Sequence, residues 1–121
     1  MTRAMSISAV AAVLCAVTFS MARGEDPIGR YEVSGTNPGN KGTYAGTAVI
    51  EKTGDTYRVV WQIGSERYVG TGIGNQEFIA VSYRLGNDSG LALYSASGAG
   101  WKGIWTYAGG HEIGTEIWSR R

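Results

Sequence analysis

Thr56-Tyr57-Arg58-Val59-Val60-Trp61-Gln62-Ile63 is the stretch on which the fold turns. Tyr57, Val59, Trp61 and Ile63 alternate with Arg58, Val60 and Gln62, the period of two expected of a half-buried β-strand. Thr53-Gly54-Asp55 before it and Gly64-Ser65-Glu66 after it are turn sequences. Outward toward the N-terminus, residues 43–52 read as a strand with Tyr44, Gly46, Ala48 and Ile50 on one face. Residues 30–34 read as another, with the turn signal Asn37-Pro38-Gly39 between the two. Toward the C-terminus the predicted strands are 67–73, 77–85, 91–95, 101–108 and 112–119. They are separated by Gly74-Asn75-Gln76, Gly86-Asn87-Asp88-Ser89-Gly90, Gly98-Ala99-Gly100 and a two-residue hairpin signal, Gly109-Gly110.

Eight short strands joined by short links predict sequential antiparallel neighbours. An open sheet of that size leaves two edges exposed, and closure removes both. The expected fold is all-β, an eight-stranded antiparallel up-and-down barrel, with a two-sheet β-sandwich as the alternative. Strands of this length and the lack of a visible outward apolar band argue against a membrane-spanning barrel. All 19 glycines fall beyond residue 22, where they interrupt nearly every window that could hold a helix, and no long helix is expected there. Tyr44-Ala45-Gly46-Thr47, Tyr68-Val69-Gly70-Thr71 and Trp101-Lys102-Gly103-Ile104 form a weak repeat. A mid-strand glycine leaves a gap, and the aromatic two residues earlier on the same face is expected to cover it.

The first 22 residues have the parts of a secretory signal peptide. Arg3 supplies a positive start, residues 7–19 an apolar run too short to span a bilayer, and Ser20-Met21-Ala22 a cleavage site. The domain is then 23–121, exported to the periplasm or beyond, with no membrane span after processing. Cys15 lies inside the apolar run, so the processed chain has no disulfide and no thiol chemistry. Acidic and basic residues balance and intermix in it. No basic stripe points to nucleic acid.

Few motifs carry chemistry. Gly98-Ala99-Gly100-Trp101-Lys102-Gly103 matches G-x-G-x-x-G literally, but a strand follows where a dinucleotide site needs a helix. His111 is the one histidine, beside a Gly-Gly turn, with no second ligand to make a metal site. No nucleophile elbow accompanies the serines. No catalytic residue, cofactor or metal is expected. Glu116 stands mid-strand on the face of Gly114 and Trp118. It faces solvent, or it faces inward and pairs with Arg58 or Arg84, fixing the packing or orienting a ligand. Tyr44, Trp61, Tyr83, Trp105 and Trp118 lie in strands and serve as core, as cavity wall or as an interaction surface.

The domain resembles a family of small exported bacterial proteins of uncharacterised function, some labelled fibronectin-binding. The likeness rests on Gly35-Thr36-Asn37-Pro38, Tyr44-Ala45-Gly46-Thr47, Tyr57-Arg58-Val59-Val60-Trp61, Gly70-Thr71-Gly72-Ile73, Ala80-Val81-Ser82-Tyr83, Gly103-Ile104-Trp105 and Gly114-Thr115-Glu116-Ile117-Trp118. Its outline is similar to calycins (lipocalins and avidins), barrels that hold small ligands, although Gly29-Arg30-Tyr31 stands where lipocalins have Gly-x-Trp. The expected function is a non-catalytic exported binding protein. A small apolar or aromatic ligand would sit among Tyr44, Trp61, Tyr83, Trp105 and Trp118, with Arg58, Arg84 or Glu116 as polar anchor. The alternatives are a protein-interaction module, binding host matrix or inhibiting an exported enzyme, and an envelope protein with neither pocket nor patch.

Overall fold

Alternation of large inward side chains with solvated ones builds one continuous ladder. The computed structural model describes residues 26–121; the signal-peptide reading of residues 1–22 and Cys15 lie outside them. The strands are β1 (Gly29–Thr36), β2 (Thr43–Thr53), β3 (Thr56–Ile63), β4 (Glu66–Gly74), β5 (Phe78–Leu85), β6 (Asp88–Ser97), β7 (Gly100–Tyr107) and β8 (Gly114–Arg120). Each pairs antiparallel with the next, and β1 pairs with β8, placing Val33 opposite Trp118 and Tyr31 opposite Arg120. The barrel is closed, so among the described residues no strand edge is left unpaired.

Two connections differ from the sequence pattern. Gly86 and Asn87 alone make the β5–β6 turn, with Leu85 opposite Asp88, so Asp88, Ser89 and Gly90 belong to β6. Gly86 takes a positive φ of 58° there, which glycine adopts without the usual side-chain clash. Conversely, Gly109-Gly110 is not a two-residue hairpin. β8 begins at Gly114, and the loop before it is held by Thr106, whose hydroxyl donates to the Glu112 carbonyl at 2.8 Å, and by the Gly110 amide on the Tyr107 carbonyl.

One end of the barrel is plugged. Tyr31, Ile50, Val59, Ile79, Tyr94, Trp101 and Trp118 are all but inaccessible. Beneath them the segment 26–28 crosses the opening. The Tyr31 hydroxyl donates to the Pro27 carbonyl at 2.7 Å, and Trp101 Nε1 donates to that hydroxyl at 3.3 Å. Arg120 clamps the same segment. Its Nη2 donates to the Asp26 carbonyl (2.8 Å), its Nη1 to Ile28 (3.0 Å) and its Nε to Ala99 (3.1 Å), while the guanidinium lies 4.8 Å over the Tyr31 ring. The opposite end, ringed by the β1–β2, β3–β4, β5–β6 and β7–β8 connections, is open.

Of the glycines in the repeat, Gly103 is covered by the ring directly opposite it on the neighbouring strand, that of Tyr94, whereas Gly46 meets Ile63 and the Gln62 backbone and Gly70 meets Val81 and the Trp61 ring, which is not directly opposite it. Elsewhere, too, a ring from the residue directly opposite lies over a glycine. Tyr44 lies over Gly35, Tyr83 over Gly90 and Trp105 over Gly114, and each of these is a cross-strand pair. With no Cβ beneath it, a ring can lie along the wall instead of projecting across the lumen.

Candidate functional site

Eight strands enclose a lumen just wide enough to be filled by side chains or to hold one small ligand. Here the plugged half is filled. The open half leaves a cavity of about 270 Å³ lined by residues of every strand but β1. Its aromatic walls are Tyr44, Trp61, Tyr68, Tyr83, Trp105 and Tyr107. Neighbouring rings meet nearly at right angles. Tyr44 and Trp105 have centroids 6.0 Å apart at 75°, Tyr83 and Trp105 6.3 Å at 72°, Tyr68 and Tyr83 6.0 Å at 76°. Edge-to-face contacts of this kind suit the ring quadrupole. They also fix the rings in place: Trp105 Nε1 donates to the Thr115 carbonyl at 3.3 Å and the Tyr83 hydroxyl to that of Thr106 at 3.2 Å.

Glu116 lies at the inner end of the cavity, on β8, and is only 6% exposed. Its Oε1 accepts from Trp118 Nε1 (2.6 Å), the Tyr94 hydroxyl (2.8 Å) and Trp61 Nε1 (3.1 Å). Its Oε2 accepts from the Tyr44 hydroxyl at 2.5 Å. Indole N–H groups can only donate, so Oε1 is read as an acceptor by both tryptophans. One carboxylate thus ties β2, β3, β6 and β8 across the lumen. Burial, and after it the nearby Glu116 charge, push the Tyr44 and Tyr94 phenols far above their usual range and keep them as donors. Tyr83 is pushed up to about 12, mainly by burial, then by Tyr107 and Tyr68.

Of the residues singled out in the sequence, Tyr44, Trp61, Tyr83, Trp105 and Glu116 converge on this cavity. Trp118 does not line it. It lies below, its ring tilted against those of Tyr94 (centroids 4.2 Å apart) and Tyr31 (5.3 Å), and serves the site through its bond to Glu116. Arg58 and Arg84 are no anchors, because both occupy outward positions of their strands. Arg58 pairs with Glu51 at 3.8 Å on the outer surface. Glu116 faces inward, but phenols and indoles satisfy it rather than an arginine. Sequence reasoning did not place Glu66, Tyr68 or Tyr107 in the site, nor Tyr94. The inner face of β6 reads Gly90, Ala92, Tyr94, whereas the apolar Leu91 and Leu93 occupy the outer face.

That outer face corrects a second expectation. Ile73, Ala80, Leu93 and Ile104 stand opposite one another across β4–β7, flanked by Leu91 and Ile117, and form an apolar strip on one side of the barrel. Among the described residues no helix is long and apolar enough to cross a membrane, and no cluster of metal-ligating side chains occurs. A neighbouring cleft of about 470 Å³ shares Asn37 and Tyr107 with the cavity. Its other walls are the two end loops, including Lys41 and Glu112, ion-paired at 3.5 Å, and His111. Glycine and exposed side chains make it a wider but weaker host than the ring-walled cavity. Comparison with known proteins finds no family model that matches this chain and no curated protein that matches it.

Proposed function

We propose that the chain is a non-catalytic, exported binding protein that holds one small molecule in the open half of its barrel. The observation that carries this reading is the pairing of an aromatic-walled cavity with a preformed polar floor. Rings of fixed orientation supply apolar contact, and Glu116, held by four donors, supplies one oriented polar group. Mostly apolar walls with few placed polar groups are what small-molecule sites have in common. The likeness to calycin barrels belongs to the same reading. Native mass spectrometry of the processed protein, purified from its own exported fraction, tests it. A retained mass of a few hundred daltons is expected, and its loss on Trp105→Ala would assign it to the cavity. A bare protein that also leaves tryptophan fluorescence unchanged across a library of small aromatic compounds would overturn the proposal.

A second reading, a protein-interaction module for an extracellular partner, draws support from the outer strip of Leu91, Leu93, Ile104 and Ile117, each close to half exposed or more. Large exposed apolar areas mark interaction surfaces. Substituting Leu93 and Ile104 with threonine would abolish such an interaction while leaving cavity binding intact.

A further inference from the structure

The inference concerns the charge of the ligand and rests on the small-molecule reading above. We propose that the cavity selects a compact organic cation, a protonated or quaternary amine on an apolar body. Among the described residues, Glu66 and Glu116 are the charged side chains of the lining, and no lysine, arginine or histidine is part of it. Glu66 stands exposed at the rim, accepting from the Tyr68 hydroxyl at 3.3 Å, and Glu116 lies at the floor. All four hydrogen-bond donors to Glu116 are neutral phenols and indoles. They satisfy the carboxylate without cancelling its charge. Nearby basic side chains stay out of the lining: Arg67, next to Glu66, alternates with the inward Tyr68 and faces outward. Lys41 is paired with Glu112 in the adjoining cleft, and Arg58 and Arg84 point out of the barrel.

The geometry of the carboxylate leaves room for a ligand. A carboxylate offers about four acceptor sites, two on each oxygen. Oε1 already takes three donors, whereas Oε2 takes only Tyr44, so Oε2 is the oxygen with capacity left. Aromatic rings wall the cavity above it, and the negative face of such a ring attracts a cation within about 6 Å. A cation entering past Glu66 therefore meets one carboxylate at the mouth, π-faces along the wall and a second carboxylate below. An anion meets the same charges with no compensating donor cation. A neutral apolar molecule fills the space but gains nothing from Glu116. At about 270 Å³ the cavity lies just under the usual range of small-molecule sites, roughly 300–1,000 Å³, and this limits the body of the ligand to about one substituted ring.

Three probes of one shape and different charge decide the matter: para-tert-butylbenzylamine, protonated at neutral pH, the corresponding benzyl alcohol, and para-tert-butylbenzoate. Each is titrated into the full-length protein and followed by tryptophan fluorescence and ligand-observed NMR. The ammonium is expected to bind about ten-fold tighter than the alcohol, by roughly the strength of one desolvated cation–π contact or more, with the benzoate weakest. Its advantage should shrink as salt is raised, because Glu66 is exposed. Glu66→Gln, at the exposed rim, should lower ammonium affinity about three-fold more than alcohol affinity, the effect of one partly screened charge. Glu116→Gln should remove most of the remaining preference; if that variant does not fold, the ranking of the three probes and Glu66→Gln still decide. Alcohol or benzoate binding as tightly as the ammonium would overturn the cation proposal and leave the binding reading standing. Failure of all three to bind at millimolar concentration would overturn both.

Discussion

Tyr94 lies flat against Gly103, the residue directly opposite it across the β6–β7 ladder, and this contact carries its hydroxyl to Glu116. A Cβ at Gly103 would overlap the Tyr94 ring and come within 2.7 Å of the Leu93 carbonyl oxygen. Gly103→Ala must therefore push the ring into the lumen and pull its hydroxyl from Glu116. Overpacking of this kind costs typically about 1–3 kcal/mol, to which the loss of a bond to a charged acceptor adds. Urea denaturation should show a loss of about 2–4 kcal/mol. Tyr94→Ala combined with Gly103→Ala should cost less than the sum of the two, since the clash disappears with the ring. Strict additivity would mean that the two side chains are not coupled.

Glu116 should be more sensitive to truncation than to neutralisation. Glu116→Ala leaves two indole N–H groups and two phenols aimed at an empty position. An unsatisfied buried donor costs about 1–3 kcal/mol, so a loss of at least about 3 kcal/mol is expected even after water enters from the open end. Glu116→Gln can keep its carbonyl oxygen at the position of Oε1 and turn its amide to the Tyr44 oxygen, which can accept. A loss of about 1–3 kcal/mol is expected, the worth of replacing a charged acceptor by a neutral one. Thermal or urea unfolding of the two variants checks the order. Equal losses would indicate that the four bonds contribute little.

The barrel was legible in the sequence because its signals are local. The alternation of Tyr57, Val59, Trp61 and Ile63 and the turn at Gly54 need only their own neighbours, and the short links leave antiparallel meandering as the connection available. The site was legible only in part. Tyr44, Trp61, Tyr83 and Trp105 stand out as large rings in glycine-rich strands. Glu116 was ambiguous because three of its partners lie 72, 55 and 22 residues away in sequence, and only closure brings them together. On β6 hydrophobicity pointed the wrong way, since Leu91 and Leu93 face out and Gly90 faces in. The interior accepts Tyr94 because Gly103 opposite has no side chain, a fact of register that no single strand contains. Arg58 and Arg84 failed as anchors for a simpler reason. They alternate with inward Val59 and Tyr83, and a period of two sends them outside.

Arg120 should prove necessary to the plugged end. Its planar fork reaches three carbonyls, of Asp26, Ile28 and Ala99, while its face covers Tyr31. Lysine offers a point charge and cannot reproduce the fork. Arg120→Lys is expected to cost about 2 kcal/mol, the scale of one or two lost charge-assisted bonds at a partly exposed position. More telling than global stability is local opening: the amide of Ile28, bonded to Asp26 Oδ1 at 2.8 Å, should exchange with solvent faster in the variant, while amides of β3 and β4 change little. Unchanged exchange at Ile28 would show that the segment is held by something other than Arg120.

The buried phenols make stability fall at alkaline pH. In an unfolded chain a tyrosine ionises at about 10. In the folded barrel Tyr83 is pushed up to about 12, and Tyr44 and Tyr94 further, by burial first and then by neighbouring charges. Below the unfolded value both states hold these protons, and the contribution of the phenols does not vary with pH. Above it the unfolded chain releases them and the folded one does not, so the unfolded state binds fewer protons and stability declines as pH rises. The urea midpoint should therefore be insensitive to these groups up to about pH 9 and drop between about pH 10 and 12. Phenolate absorbance from Tyr44 and Tyr94 should appear only together with unfolding. Tyr94→Phe lowers stability at neutral pH by removing a bond to Glu116, yet it should make the alkaline decline shallower, because one fewer proton separates the two states. A Tyr94→Phe profile parallel to that of the unmodified protein would mean that Tyr94 ionises as readily in the barrel as out of it, and that its bond to Glu116 does not hold the proton in place.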